Sequence, residues 1–294
     1  GPVEEEVKAR VYNLDLRFKT LDDAPFVASW LLRSPSGEVY RSRAETDRLR
    51  VDLIPAGECN LTVYGVGNVT LFSKIFQAEE LHGVRELKLP IKTVKARVLW
   101  SDGSPIDGAR VELVGRGLRY NGTADLDGVL RFKNLVLGSY QVKVFYPYTS
   151  VLIFDKKLEF DGGDVKLVVK AARLSVKVVD WLDRPLSGAE VSVGCGPVLL
   201  GRAVTGGDGV AEFSKVPLLR IYEVKARFGS LESKALARPG EIPVLKMRLI
   251  NLFGFIVDVD AVMAALPYII AVVVVIILAV AIVVIRSMTR RRVV

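Results

Sequence analysis

Val98–Leu113 reads V-L-W-S-D-G-S-P-I-D-G-A-R-V-E-L, and Val178–Val193 reads V-V-D-W-L-D-R-P-L-S-G-A-E-V-S-V. Pro105, Gly108, Ala109 and Val111 return as Pro185, Gly188, Ala189 and Val191 at a constant offset of 80. Downstream, Asp127-Gly128 and Phe132 return as Asp208-Gly209 and Phe213 at offset 81, and Tyr140-x-Val142 returns as Tyr222-x-Val224 at offset 82. A drift of two positions over one repeat places small loop insertions in a shared framework. Residues 1–90 hold a divergent third copy. Asp22-Asp23-Ala24-Pro25 stands at the Pro-centred turn, and Ile54-Pro55-Ala56-Gly57-Glu58-Cys59-x-Leu61-x-Val63 stands where copy two has Val136 to Val144.

Each copy is written in period two. Ala109, Val111 and Leu113 alternate with Arg110 and Glu112; Tyr140, Val142 and Val144 alternate with Gln141 and Lys143. Alternation of this kind marks half-buried strands. Asp-Gly, Gly-Ser-Pro and Gly-Gly turns separate the strands, and no helical stripe precedes the last 34 residues. The chain therefore reads as all-β: three tandem antiparallel β-sandwiches followed by one C-terminal apolar helix. The inward tyrosines Tyr140 and Tyr222 are expected to bury their rings and lodge their hydroxyls on backbone.

The motifs Pro185-Leu186-Ser187-Gly188-Ala189-Glu190-Val191, Asp127-Gly128-x-x-x-Phe132 and Leu137-Gly138-Ser139-Tyr140-x-Val142 resemble the carboxypeptidase regulatory-like domains, also called prealbumin-like or transthyretin-like. The resemblance covers 94–250 and, more loosely, 5–90. It implies seven-stranded Greek-key sandwiches with no intrinsic chemistry. The chain departs from the theme at Leu219, where the family has glycine, so a longer turn is expected before Tyr222.

From Ala261 to Ile285 there is no charged residue, and Arg286, Arg290, Arg291 and Arg292 follow. Such a run, at ~1.5 Å per residue, spans a ~30 Å hydrocarbon core. In lipid its backbone must bond internally, so helix wins over strand despite the Val/Ile content. The arginines place the tail in the cytoplasm and residues 1–260 outside, on a single-pass protein. The expected boundaries are 1–93, 94–171 and 172–250 for the sandwiches, 251–260 for a juxtamembrane linker, 261–285 for the helix and 286–294 for the tail. The short junctions between sandwiches suit a semi-rigid rod. No apolar export segment precedes the sandwiches, so a removed signal peptide is expected; Gly1-Pro2 suits a processed start or a cloning remnant.

Net charge is +8, from 41 basic and 33 acidic residues. Without the four tail arginines, 37 basic residues face 33 acidic ones, an excess of four, which gives no reason to expect nucleic acid as a partner. The densest exterior basic stretch, Arg41, Arg43, Arg48 and Arg50, reads as a solvated face and loop, with a site for acidic glycans as the alternative. One histidine, two cysteines, three methionines and two glutamines beside abundant charge follow a hyperthermophile trend and suggest an archaeal surface protein.

One histidine (His82) and two cysteines 136 positions apart supply neither a zinc site nor a catalytic triad. No enzyme activity, cofactor or metal is expected. Asp125-x-Asp127-Gly128 reads as a strand-connecting turn rather than a calcium loop. Cys59 and Cys195 continue inward registers and read as buried free thiols. Lys177 and Asn251 are the one pair to check for an isopeptide bond. Asn60, Asn68 and Asn121 head N-x-Thr glycosylation tripeptides, with Asn60 on a strand and Asn121 in a loop. Phe145, Tyr146 and Tyr148 form an aromatic loop that either packs on a neighbouring domain or meets a partner.

These features point to a non-catalytic, membrane-anchored cell-surface protein whose sandwiches serve as a stalk or interaction module. Its expected partners are the lipid bilayer and proteins at the cell surface or in a membrane complex. Phe253, Phe255, Ile256 and Val257 beside the membrane suit the alternative of an accessory subunit of a larger complex. A carbohydrate-binding surface module is the third reading.

Overall fold

The structure is a computed structural model, and it describes residues 10–252 and 255–290. The tail residues Arg291 and Arg292, the residues Gly1, Pro2 and Phe253, and the side chains of Phe255, Arg286 and Arg290 lie outside the described part. The chain divides into two compact units, Gly1–Lys170 and Ala171–Val294.

The first unit holds two sandwiches. Strands β1 (Val11–Lys19), β4 (Arg48–Pro55) and β7 (Glu86–Lys88) form one sheet in the order β4-β1-β7. Strands β2 (Ser29–Arg33), β3 (Val39–Arg41), β5 (Glu58–Tyr64) and β6 (Thr70–Gln77) form the facing sheet, β3-β2-β5-β6. The next seven are β8 (Ile91–Trp100), β9 (Arg110–Gly115), β10 (Leu118–Thr123), β11 (Val129–Val136), β12 (Gly138–Phe145), β13 (Leu152–Phe160) and β14 (Val165–Val169). They repeat the plan as β11-β8-β14 and β10-β9-β12-β13.

The second unit repeats it again with β15 (Ala171–Val179), β16 (Glu190–Cys195), β17 (Val198–Val204), β18 (Val210–Pro217), β19 (Tyr222–Phe228), β20 (Leu231–Ala237) and β21 (Val244–Lys246). The sheets are β18-β15-β21 and β17-β16-β19-β20. Strand order is therefore identical in all three sandwiches, including the divergent first copy. The Pro-centred turn is shared as well: Lys19 bridges Pro25, Leu99 bridges Pro105 and Val179 bridges Pro185.

Pairing is antiparallel except in one place per sandwich. There the last strand runs parallel to the first, as β1·β7, β8·β14 and β15·β21. The alternation fixes the cores. Ala109, Val111, Leu113, Tyr140, Val142 and Val144 are completely buried, and so are Ala189, Val191, Tyr222, Val224 and Ala226. In the first copy Cys59, Leu61 and Val63 fill the matching positions. Burial of this many aliphatic groups, each worth ~1.5–3 kcal/mol, is the main stabilising term.

Three local features depart from the sequence reading. A one-turn helix, α1 (Ala78–Leu81), interrupts the first sandwich and caps it with buried Ala78 and Leu81. Asn121 stands on β10, opposite Glu112, not in a loop. Cys195 is half-buried rather than buried, because a register shift after Val193 carries the end of β16 toward its hairpin turn. As expected, the link before Tyr222 is longer: four residues join β18 to β19, against one between β11 and β12.

Beyond β21, β22 (Leu249–Leu252) pairs antiparallel with β23 (Phe255–Asp258) as a hairpin that begins in the last two residues of the expected 172–250 sandwich and overlaps the stretch 251–260 expected as a linker. The hairpin leads straight into α2 (Val259–Arg290). Asp258 caps this helix: its carboxylate accepts from the Asp260 amide at 2.8 Å and the Ala261 amide at 3.4 Å, which starts α2 two residues before the uncharged run. Pro267 lies inside the helix.

Candidate functional site

The arginine cluster sits on an open groove of the first sandwich, about 600 Å³ in volume, between the β2–β3 ribbon and β4. Trp30 and Tyr40 line it with Arg41, Arg43, Arg48 and Arg50. The groove is not uniformly cationic. Arg48 makes a two-pronged ion pair with Asp15, whose carboxyl is held below its ordinary range, first by that hydrogen bond. Arg50 lies 3.9 Å from Asp52, and Glu45 also lines the wall. Among the described residues Arg41 and Arg43 make no ion pair.

The aromatic loop closes one end of the second sandwich. Phe145 ends β12 under the Arg110 guanidinium, 4.4 Å from the ring centre. Tyr146 tilts against Trp100 at 6.4 Å, and burial pushes its hydroxyl pKa up. Tyr148 is 87 % exposed. The structure thus separates the three: Phe145 and Tyr146 are partly packed within their own sandwich, and Tyr148 alone stands out.

Asn60, Asn68 and Asn121 are all exposed. Asn60 is on β5, Asn68 in a turn and Asn121 on β10, so each side chain is accessible from solvent.

The remaining polar motifs are absorbed by structure. Asp125 accepts from the Asp127 and Val129 amides at 3.0 and 2.8 Å, so its carboxylate closes the β10–β11 turn. His82 follows α1, with its ring 5.4 Å from that of Tyr12. Lys177 is exposed, and the Asn251 carbonyl accepts from Arg184 at 2.7 Å. Cys59 and Cys195 are free thiols, and burial pushes Cys59 up. Among the described residues no cluster of three or more His, Cys, Asp or Glu side chains is placed to hold a metal.

α2 contains one candidate membrane span, Val259–Val283, with mean hydropathy 3.2; Val259 is buried at its start, and the residues from Asp260 to Val283 are exposed. Its valines, isoleucines and leucines are broadly exposed all round the helix. A helix that packed into a water-soluble core would bury one face.

Sequence reasoning passed over one turn. At the end of the third sandwich from which α2 leaves, Trp181 and Leu182 are 42 % and 53 % exposed. Lys246 Nζ and the Arg248 guanidinium lie 5.4 and 5.7 Å from the Trp181 ring. Trp181 falls opposite Ser101 of the repeat, a contrast visible in the sequence itself.

No protein family matches the chain, and no curated protein matches it. Solved structures do. It is similar to the Bacillus anthracis TIE protein, at 18% identity and TM-score 0.27 over 80% of this chain, and spans about half (49%) of that structure. It is similar to a streptococcal ancillary pilin, at 13% identity and TM-score 0.27, over 80% of this chain and 98% of the other. It is also similar to GBS52, the minor pilin of Streptococcus agalactiae, at 11% identity and TM-score 0.33, over 53% and 96%. Overlaps this loose define neither a shared family nor a shared activity.

Proposed function

We propose that the chain is a non-catalytic, membrane-anchored surface protein whose tandem sandwiches act as a stalk or protein-interaction module. One observation carries this reading: the third sandwich continues through a hairpin into a long apolar helix that, beyond its first residue Val259, nothing among the described residues covers. In water that surface is unfavourable by ~25 cal/mol per Å² of apolar area, and a bilayer removes the cost. The arginines at 286 and 290–292 orient the sandwiches to the exterior. The domain limits 1–93, 94–171 and 172–250, and kinship with carboxypeptidase regulatory-like domains, belong to the same reading and rest on the repeat motifs.

Exposed Asn60, Asn68 and Asn121 are the proposed glycan acceptors. Tyr148, with Phe145 and Tyr146 behind it, is the proposed contact loop on the second sandwich. The test is extraction. Membranes washed at alkaline pH retain the chain if α2 spans them, and gentle solubilisation then gives a species near its own mass for a lone stalk or a larger one for a complex. Release by the alkaline wash would refute the anchor.

A further inference from the structure

We propose that the Trp181-Leu182 turn docks into the headgroup–acyl boundary of the exterior leaflet, beside the point where α2 enters it. The inference rests on the membrane reading of α2 and adds a second, protein-surface contact with the same bilayer.

Topology makes the placement. β15 and β21 run parallel, with Lys177 to Val179 opposite Val244 to Lys246. Two parallel strands release their following segments at the same end of a sheet. One of these segments is the turn Asp180–Arg184; the other is the exit through Met247 and Arg248 to the hairpin and α2. Backbone bonds join them. The Trp181 amide donates to the Leu249 carbonyl at 2.8 Å, and the Val259 amide, the first of α2, donates to the Arg248 carbonyl at 3.0 Å. Leu249 in turn pairs with Asp258, the helix cap. The exposed tryptophan therefore sits beside the first turn of the candidate span.

The other sandwiches provide an internal comparison. In the second, the same turn reads Ser101-Asp102-Gly103-Ser104, with no apolar side chain. In the first it reads Leu21-Asp22-Asp23-Ala24. An aromatic residue followed by an aliphatic one occurs only in the copy from which the helix leaves. Tryptophan is enriched at membrane–water interfaces because its indole pairs an apolar body with a polar N–H.

The turn is also built in advance. Asp180, almost fully buried, accepts from the Leu182 and Arg184 amides at 2.9 and 3.0 Å and from Arg184 Nε at 2.9 Å. Docking then requires little further ordering. The flanking cations are already paired, Lys246 with Asp183 at 2.9 Å and Arg248 with Asp260 at 2.7 Å. Zwitterionic headgroups therefore suffice, and anionic lipid adds little.

The test uses the full chain in phosphatidylcholine vesicles carrying a nitroxide either on the headgroup or deep in the acyl chain. Trp30 and Trp100 are buried at 8% exposure each, so the difference between the unaltered chain and Trp181→Phe isolates the Trp181 signal. Headgroup nitroxide should quench most of that difference signal and deep nitroxide little of it, with no change on adding anionic lipid. In the Trp181→Phe background, Tyr268→Trp reports on α2 and should be quenched from the acyl region. Quenching at 268 without quenching at 181 overturns the docking and leaves the anchor standing. Quenching at neither position overturns both. A Trp181 shielded from iodide yet untouched by nitroxide lipid is covered by protein, which also overturns the proposal.

Discussion

Tyr140 shows how one side chain ties the two sheets together. Its ring is fully buried, edge-on to Tyr120 at 5.9 Å and to Phe160 at 5.7 Å, and its hydroxyl donates to the Val136 carbonyl at 2.6 Å. Tyr222 repeats the bond to Pro217 at 2.7 Å. Replacing Tyr140 by Ala should cost ~3–5 kcal/mol, as other large-to-small aromatic changes do. Gln141→Ala, which removes only a surface bond to Asp155, should cost within ~0.5 kcal/mol. Hydrogen exchange in β12 of the full chain separates them: protection should fall steeply for Tyr140→Ala and hardly at all for Gln141→Ala. Asp180 gives a pH signature. Burial pushes its carboxyl up, but bonds from Arg184, Leu182 and Asn251 outweigh that and leave it below 3.8. A depressed carboxylate stabilises the fold above its unfolded value, and that contribution fades as pH drops through the folded value. The thermal midpoint of the third sandwich should therefore fall from about pH 5 downward, and Asp180→Asn should flatten the slope. The inward tyrosines and valines were legible because period two needs nothing beyond neighbours. The half-burial of Cys195 was not, since a bulge leaves no mark in alternation.

Turns set the repeat at the level of elements. Gly128 has φ +70°, and a Cβ there would lie 2.4 Å from the Val98 carbonyl; Gly209 repeats this at φ +73° and 2.6 Å from Val178. Gly103 has φ +85° but open space around it. Gly128 and Gly103 would each strain a non-glycine backbone by ~1–3 kcal/mol, and of these two Gly128 alone adds a clash. Denaturant titration should thus show Gly128→Ala more destabilising than Gly103→Ala, and equal losses would contradict the close approach of β8 to the turn. Asp-Gly at both sites made these turns readable in the sequence. The parallel pairing of first and last strands was not readable, because alternation reports which face is buried and not which neighbour is bonded. The hairpin β22–β23 was hidden for a related reason: two four-residue strands, each with three apolar residues, adjoin a long apolar segment, and periodicity cannot divide them. The Trp181 turn was present as a mismatch with Ser101, but its position beside α2 follows only from the parallel β15·β21 pair.

Among the described residues, three sandwiches of one topology precede one long apolar helix, and the arginines proposed to orient them belong to the last nine residues of the sequence. The repeat, the sandwiches and the helix were legible from offsets, alternation and hydropathy. A binding partner was not, since no cluster of reactive side chains converges among the described residues and the arginine groove is partly neutralised by Asp15 and Asp52. The measurement that tests the proposed orientation most directly is protease treatment of intact cells, followed by mass analysis of what the membrane retains. Exterior sandwiches predict loss of the β-structured part and retention of a short fragment containing α2 and the basic tail. Survival of the full chain on intact cells, with cleavage only after the membrane is opened, would contradict it.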